Sequence, residues 1–253
     1  MITYKFDGTF EGLITSFYFA FKKKETPNFT SLDKMQIGFL DIVIDITTDI
    51  IIYNKMEEYL ISKCTMMCFK TIYTAFLNEK ITNYINFFRF IKLAFTYKEQ
   101  VLDLRNISSV YEVVKAKLAV ERETHKILGL MRFKKIDEHL LYARYSPTHN
   151  ITSLLCLHFV NRLNSFNFVI YDDKRNLYAL YDKKNIIITK SVNNKFINKN
   201  DIEDKYNTFF KIYYKHVAIK ERQNLKLQIN LMPKKYWHFI SEVSTPNNSF
   251  IDI

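Results

Sequence analysis

Glycine and proline are scarce in this chain, four of each among 253 residues, and there are only three cysteines and one tryptophan. Four glycines leave no material for a glycine-rich phosphate loop, and neither a Walker A motif nor GxGxxG occurs. GxSxG and HExxH are also missing, so the hydrolase and zinc-protease signatures are excluded. Cys64, Cys68 and Cys156 form no even disulfide framework, which fits a reducing compartment. Cys64 and Cys68 stand four apart without partner ligands and read as small core residues rather than a zinc or redox pair. No metal and no cofactor is expected. Long apolar runs are lacking as well. The most apolar stretch, 38–52, is broken by Asp41, Asp45 and Asp49, well short of the ~18–20 uninterrupted residues of a membrane span. The opening MITYKFDG has no basic-then-apolar signal pattern, so the expected location is the cytoplasm.

What is abundant is positive charge, a formal +11. Lysine, asparagine and isoleucine excess is how an A+T-rich genome writes protein, so the total says less than its distribution. Residues 1–100 hold 12 basic and 11 acidic residues, while residues 101–253 hold 25 and 15. A positive field confined to one part of the chain is the footprint of a polyanionic partner. Six of the eight arginines lie between Arg122 and Arg222, and Lys205–Lys235 carries eight basic residues against Glu221 alone.

At 48% hydrophobic, the chain can bury a substantial core. Periodicity predicts a strand at Ile2–Phe6, then a helix to about Lys23 capped by Thr9, with Phe10, Leu13, Ile14, Phe17 and Phe21 as its stripe. Alternation over Phe39–Thr48 predicts a strand, with Leu40, Ile42, Ile44 and Ile46 inward. Its aspartates read as solvated carboxylates rather than a metal site. Helices are expected over Tyr53–Ser62, Met66–Leu77, Ile81–Tyr97 and Ile107–Leu128, the last ended by Gly129. A hairpin of Leu130–Ile136 with Leu140–Tyr145 leads to an Asn150-capped helix, Ile151–Leu163. A three-strand meander follows at Phe166–Tyr171, Leu177–Tyr181 and Ile186–Thr189. Residues 191–200 read as loop, and a last helix presents Ile202, Tyr206, Phe209, Tyr213 and Val217. The fold class is α+β: a strand–helix–strand start, a helical middle, and an antiparallel sheet with packed helices and a basic C-terminal arm. The chain reads as one domain, with 1–106 and 107–253 as candidate subdomains.

Candidate chemistry gathers in 121–162. The stripe Ile107, Val110, Val114, Leu118 and Leu128 takes in Glu121 and His125, an i,i+4 pair in which the carboxylate can orient the imidazole for acid–base work. The next helix places His158 and Arg162 on its apolar face, and His149 follows Pro147 in a turn. His125, His158 and Arg162 are therefore expected around one polar pocket with His149 at its mouth. The alternative is satisfied core histidines.

Several blocks carry a family resemblance. Tyr4-Lys5-Phe6-Asp7-Gly8-Thr9-Phe10-Glu11-Gly12-Leu13 resembles a YDGTFEGLL opening. Arg122-Glu123-Thr124-His125-Lys126 with Gly129-Leu130-Met131-Arg132-Phe133 resembles REAHR…GFVRF. Pro147-Thr148-His149-Asn150-Ile151 and His158-Phe159-Val160-Asn161-Arg162 resemble PxHNI and HFxxR. Tyr171-Asp172 with Arg175, Ala218 to Asn224, and Met232-Pro233-Lys234-Lys235-Tyr236-Trp237 match the remaining blocks. In these blocks the chain resembles a bacterial family of DNA-metabolism and repair proteins of unknown function, encoded beside a radical SAM protein of DNA modification or repair and sometimes fused to uracil-DNA glycosylase-like domains. Glu121 departs from a small residue there, and Phe168 from a tryptophan. The resemblance implies a DNA repair context and a radical SAM partner, with no reaction to carry over.

The leading expectation is DNA or damaged-DNA binding in support of that partner. Arg122, Arg132, Arg162, Arg175, Arg222, Lys234 and Lys235 would hold phosphates, and Trp237 would either stack on a base or anchor the arm. Arg222 is the only arginine of the arm, and its planar fork fits a phosphate better than a lysine does. One alternative is an enzyme acting on a nucleobase or phosphodiester through His125, His149, His158 and Glu121. The other is a scaffold for an acidic protein.

Overall fold

The computed structural model of the chain describes residues 2–32, 42–190 and 224–240. Two compact units divide it, Met1–Arg122 and Glu123–Ile253. The architecture is α+β, as the pattern of periods predicts.

In the first unit, β1 (Ile2–Phe6) is the middle of a three-stranded parallel sheet, flanked by β2 (Asn28–Ser31) and β3 (Ile42–Asp45). Helix α1 (Phe10–Lys23) carries the chain from β1 to β2. The Thr9 hydroxyl caps it, as predicted, by accepting the Gly12 N–H at 3.0 Å, and Glu11 sits in its first turn. Gly12 is required by close approach: a Cβ there would lie 2.7 Å from Thr48 Oγ1 and also meet Asp7 Oδ1. That carboxylate is itself fixed, accepting the Thr9 N–H at 2.9 Å, the Thr9 hydroxyl at 2.6 Å and the Thr48 hydroxyl at 2.7 Å. Helices α2 (Ile50–Lys63), α3 (Met66–Phe76) and α4 (Ile85–Tyr97) follow, then a 3-10 segment, Lys98–Asp103, and α5 (Ser108–Leu130). Aromatic rings fill the core of this unit: Phe17 of α1 meets Phe29 of β2 at 4.8 Å, and Phe21 of α1 meets Phe88 of α4 at 4.6 Å. Cys64 and Cys68 are buried in the same cluster.

Some sequence expectations for this unit need correction. Strand β2 is only four residues long, too short to announce a period, and was missed. Ile42 is 64% exposed although the alternation placed it inward with Ile44. Among the described residues β3 has β1 as its one neighbour, which leaves that end of the strand uncovered. Asp45 is exposed and paired with Lys5, and Asp49 caps α2 through the Ile51 and Ile52 amides, while Asp41 lies outside the described residues. Among the described residues no three His, Cys, Asp or Glu side chains gather to hold a metal ion.

Among its described residues the second unit holds a five-stranded sheet in the order β4 (Lys134–Lys135), β5 (Leu140–Tyr145), β6 (Asn167–Asp172), β7 (Leu177–Tyr181) and β8 (Ile186–Thr189). The predicted meander is present. The sheet is not wholly antiparallel, however: β5 and β6 run parallel, because α6 (Thr152–Arg162) returns the chain to the starting end before β6 begins. Helix α6 packs on β6 and β7, and Phe133, Phe159, Phe168 and Tyr181 form a chain of ring contacts beneath it. Its buried side chains are Thr152, Leu155, Cys156 and Phe159, one position away from the predicted face. Ile151, not Asn150, occupies the cap position, without a side-chain bond. Gly129 lies inside α5, and the Arg132 guanidinium donates to the Gly129 carbonyl at 3.0 Å just past it. The chain is described again from Asn224, which caps the short α7 (Leu225–Leu231), followed by a 3-10 segment, Lys234–Phe239. The loop 191–200 and the helix carrying Ile202 to Val217 fall outside the described residues. Among the described residues no helix is long and apolar enough to cross a membrane.

Candidate functional site

The predicted histidine pocket is not what the second unit builds. His125, His158 and Arg162 are all exposed, and so are Glu121 and Arg122 at the end of the first unit. Glu121 pairs with Lys117 at 2.8 Å, one turn back along α5. Val110 and Val114 of the predicted stripe are buried, but so are Val113, Ala116, Val120 and Ile127 on a second one, and the residue that continues this second stripe between the last two is Glu123. Both faces of the early helix are apolar, so the sequence permits two stripes. The one chosen from Val110, Val114 and Leu118 leads to the wrong polar group. The signal for Glu123 was its place three after Val120 and four before Ile127.

Glu123 is 7% exposed and has four donors. Its Oε1 accepts the Thr148 N–H at 2.8 Å and the Tyr236 hydroxyl at 2.6 Å, and receives Lys235 Nζ at 3.2 Å; its Oε2 accepts the His149 N–H at 2.7 Å. Burial alone would raise this carboxyl. The Tyr236 hydroxyl, the two amides and the Lys235 ammonium outweigh it and hold the group down to about 2. The same carboxylate, together with burial, pushes the Tyr236 phenol well above its ordinary range.

A second buried carboxylate lies under the β6–β7 turn. Asp172 is fully buried, pairs with Arg175 Nη1 at 2.7 Å and accepts the Lys174 and Arg175 amides at 3.1 and 3.3 Å. Burial pushes its carboxyl up, against the downward pull of Arg175. Thr152, at the start of α6, reaches it at 3.4 Å and meets the Tyr145 hydroxyl at 2.8 Å.

Between these two anchors sits Thr148, where three cations meet. Its carbonyl accepts Lys174 Nζ at 3.1 Å and Arg175 Nη2 at 2.8 Å, and its hydroxyl accepts Lys235 Nζ at 2.6 Å. Lys174 and Lys235 are exposed, so their ammonium groups, with three donors each, face solvent as well as Thr148. The arrangement is a positive surface over buried negative supports, suited to holding an anion. Proton transfer suits it poorly, since a carboxyl held at about 2 and bonded by four donors is a weak base near neutrality.

Of the residues expected to hold phosphate, the fold brings Arg175 and Lys235 together at Thr148. Arg132 is bonded to the end of α5, and Arg162 closes α6 on its exposed side. Lys234 lies over the Trp237 ring at 5.8 Å, and the Trp237 indole N–H donates to the Met232 carbonyl at 2.8 Å, tying the ring into its own segment. Arg222 lies outside the described residues, as does most of the basic arm before Asn224. His149 is buried, 6% exposed, rather than standing at a pocket mouth, because its backbone N–H is drawn onto Glu123. Lys174, Thr148, Glu123 and Asp172 were missed as site residues: a polar turn reads as loop until its partners are known.

No curated protein and no solved structure matches this chain. A family model does match, over residues 81–242, which takes in Glu123, Thr148, Asp172, Lys174, Arg175, Lys235 and Tyr236 and leaves the Asp7–Gly12 block outside. That match covers well over half of the sequence, and the chain therefore belongs to the family described as a domain of unknown function, DUF4130.

Proposed function

We propose that the chain binds DNA, damaged DNA included, through the cation cluster at Thr148, in support of a radical SAM partner of DNA repair or modification. The observation that carries the binding reading is the meeting of Lys174, Arg175 and Lys235 at the half-buried Thr148, the two lysines being exposed with ammonium donors open to solvent. Such contacts hold phosphate without reading sequence. The excess of basic residues after residue 100 favours the same ligand. The repair context and the radical SAM partner rest on the block resemblance alone. An enzyme acting on a nucleobase or phosphodiester is the weaker reading, because among the described residues no carboxylate is placed to orient the exposed His125 and His158, and Glu123 is held ionised by its donors.

The test is titration of a labelled duplex oligonucleotide with the full chain across a range of salt. Replacing Lys174 and Lys235 by glutamine lowers the log–log salt slope by ~0.9 for each phosphate contact removed. Exposed Lys22 of the first unit serves as the control, and Lys22→Gln leaves the slope unchanged. An unaltered slope in the double variant, with the fold intact by circular dichroism, removes the Thr148 turn from DNA binding.

A further inference from the structure

Strand β8 ends the five-stranded sheet, and among the described residues β7 is its one neighbour. Ile186, Ile187 and Ile188 are 37%, 56% and 43% exposed. Alternate residues along such an edge turn their amide and carbonyl groups away from the sheet, a template for another strand. Proteins usually blunt an edge of this kind with an inward charge, a proline or a bulge. None of these lies within Ile186–Thr189.

The charges stand at its two ends. Lys183 and Lys184 occupy the turn before β8, Lys190 follows it, and all three are exposed. The one acid of that turn, Asp182, is folded back on the backbone, accepting the Lys184 and Asn185 amides at 2.9 and 2.6 Å. The edge is therefore an apolar strip between positive ends.

We propose that β8 is a docking edge for an extended strand of another protein, with apolar or β-branched residues at its centre and carboxylates at both ends. Charge complementarity selects this occupant. A second copy of the chain, pairing antiparallel on β8, would bring Lys183 and Lys184 of one molecule towards Lys190 of the other, where like charges repel. DNA finds three isoleucines where it needs donors, so the proposal does not depend on the DNA reading.

The experiment uses the full chain and a synthetic peptide of alternating valine and threonine with glutamates at each end. A second peptide has the same side chains but N-methylated alternate amides, and keeps the charge while losing strand pairing. The expected result is binding of the first peptide, affinity lower by about tenfold or more for its N-methylated twin, and slowed amide exchange across residues 186–189. The variant K183Q/K184Q/K190Q, altered only at exposed positions, weakens binding and flattens its salt dependence. The proposal is overturned by equal affinity for the two peptides, which marks charge attraction alone, or by no measurable binding. Slowed exchange at 186–189 that appears with rising protein concentration without peptide assigns the edge to a second copy instead. Slowed exchange produced there by phosphatidylserine vesicles, and not by the peptide, assigns it to a membrane surface.

Discussion

The Tyr236 hydroxyl donates to the Glu123 carboxylate at 2.6 Å across 113 residues of sequence, and both side chains are buried. Through that bond the 3-10 segment near the C-terminal end is fixed to the last turns of α5, and Lys235 is held where it reaches Thr148. A buried carboxylate with four donors is costly to remove and inexpensive to keep. Glu123→Ala leaves two amides and a phenol buried without their acceptor and is expected to cost ~3–5 kcal/mol in urea unfolding. Tyr236→Phe removes one bond to a charged acceptor and is expected to cost ~1.5–3 kcal/mol. The order matters more than the values: equal losses would mean that Glu123 serves Tyr236 alone.

Acid should reveal the same carboxylate. Its folded value, about 2, lies below the ordinary 4.5, so its contribution to stability is complete above about pH 4.5 and is lost as pH falls towards about 2. Asp172 works in the opposite sense. Its carboxyl is raised by burial, so it favours the folded state at low pH and loses that contribution as pH rises through its folded value. The measurable signature is therefore a difference: Glu123→Gln is expected to show a flatter fall in melting temperature below pH 4.5 than the natural chain.

The three candidate histidines are expected to separate. His125 and His158 are exposed, and replacing either with alanine should change stability by no more than ~0.5 kcal/mol. His149 is buried, so His149→Ala removes a packed side chain and should cost ~1–3 kcal/mol, while the backbone bond to Glu123 is kept. Chemical unfolding of the three single variants checks this, and a loss at His158 as large as that at His149 would contradict the exposure pattern.

Gly12→Ala tests the first unit by itself. The added methyl meets Asp7 Oδ1, which is bonded to Thr9, and Thr48 Oγ1, which is bonded to Asp7 Oδ2, so it should cost ~1–3 kcal/mol through displacement of that network. In a Gly12→Ala/Asp7→Ala background the clash loses its main partner, and the two losses should sum to less than their separate values. Strict additivity would place the strain elsewhere.

Much of the fold is legible in the sequence because its signals are local. The Thr9 cap, the α1 stripe and the β6–β7–β8 meander follow from neighbouring residues, and the structure places them as the periods predict. The parallel β5–β6 pair is less accessible, since a crossover helix and a hairpin loop both begin with a polar turn after a strand.

The site is where local reading fails, and the reason is angular. About 100° separates adjacent residues on a helix and about 200° residues two apart, so a change of stripe exchanges His158 for Phe159 by one step and His125 for Glu123 by two. The sequence by itself determined the α+β class, the scarcity that excludes phosphate loops and disulfides, and the charge gathered after residue 100. Only the tertiary structure decided which polar groups are buried, because burial depends on partners distant in sequence. Glu123 becomes a support when Thr148, Lys235 and Tyr236 reach it, and Thr148 becomes a meeting point of cations when Lys174 and Arg175 fold over Asp172.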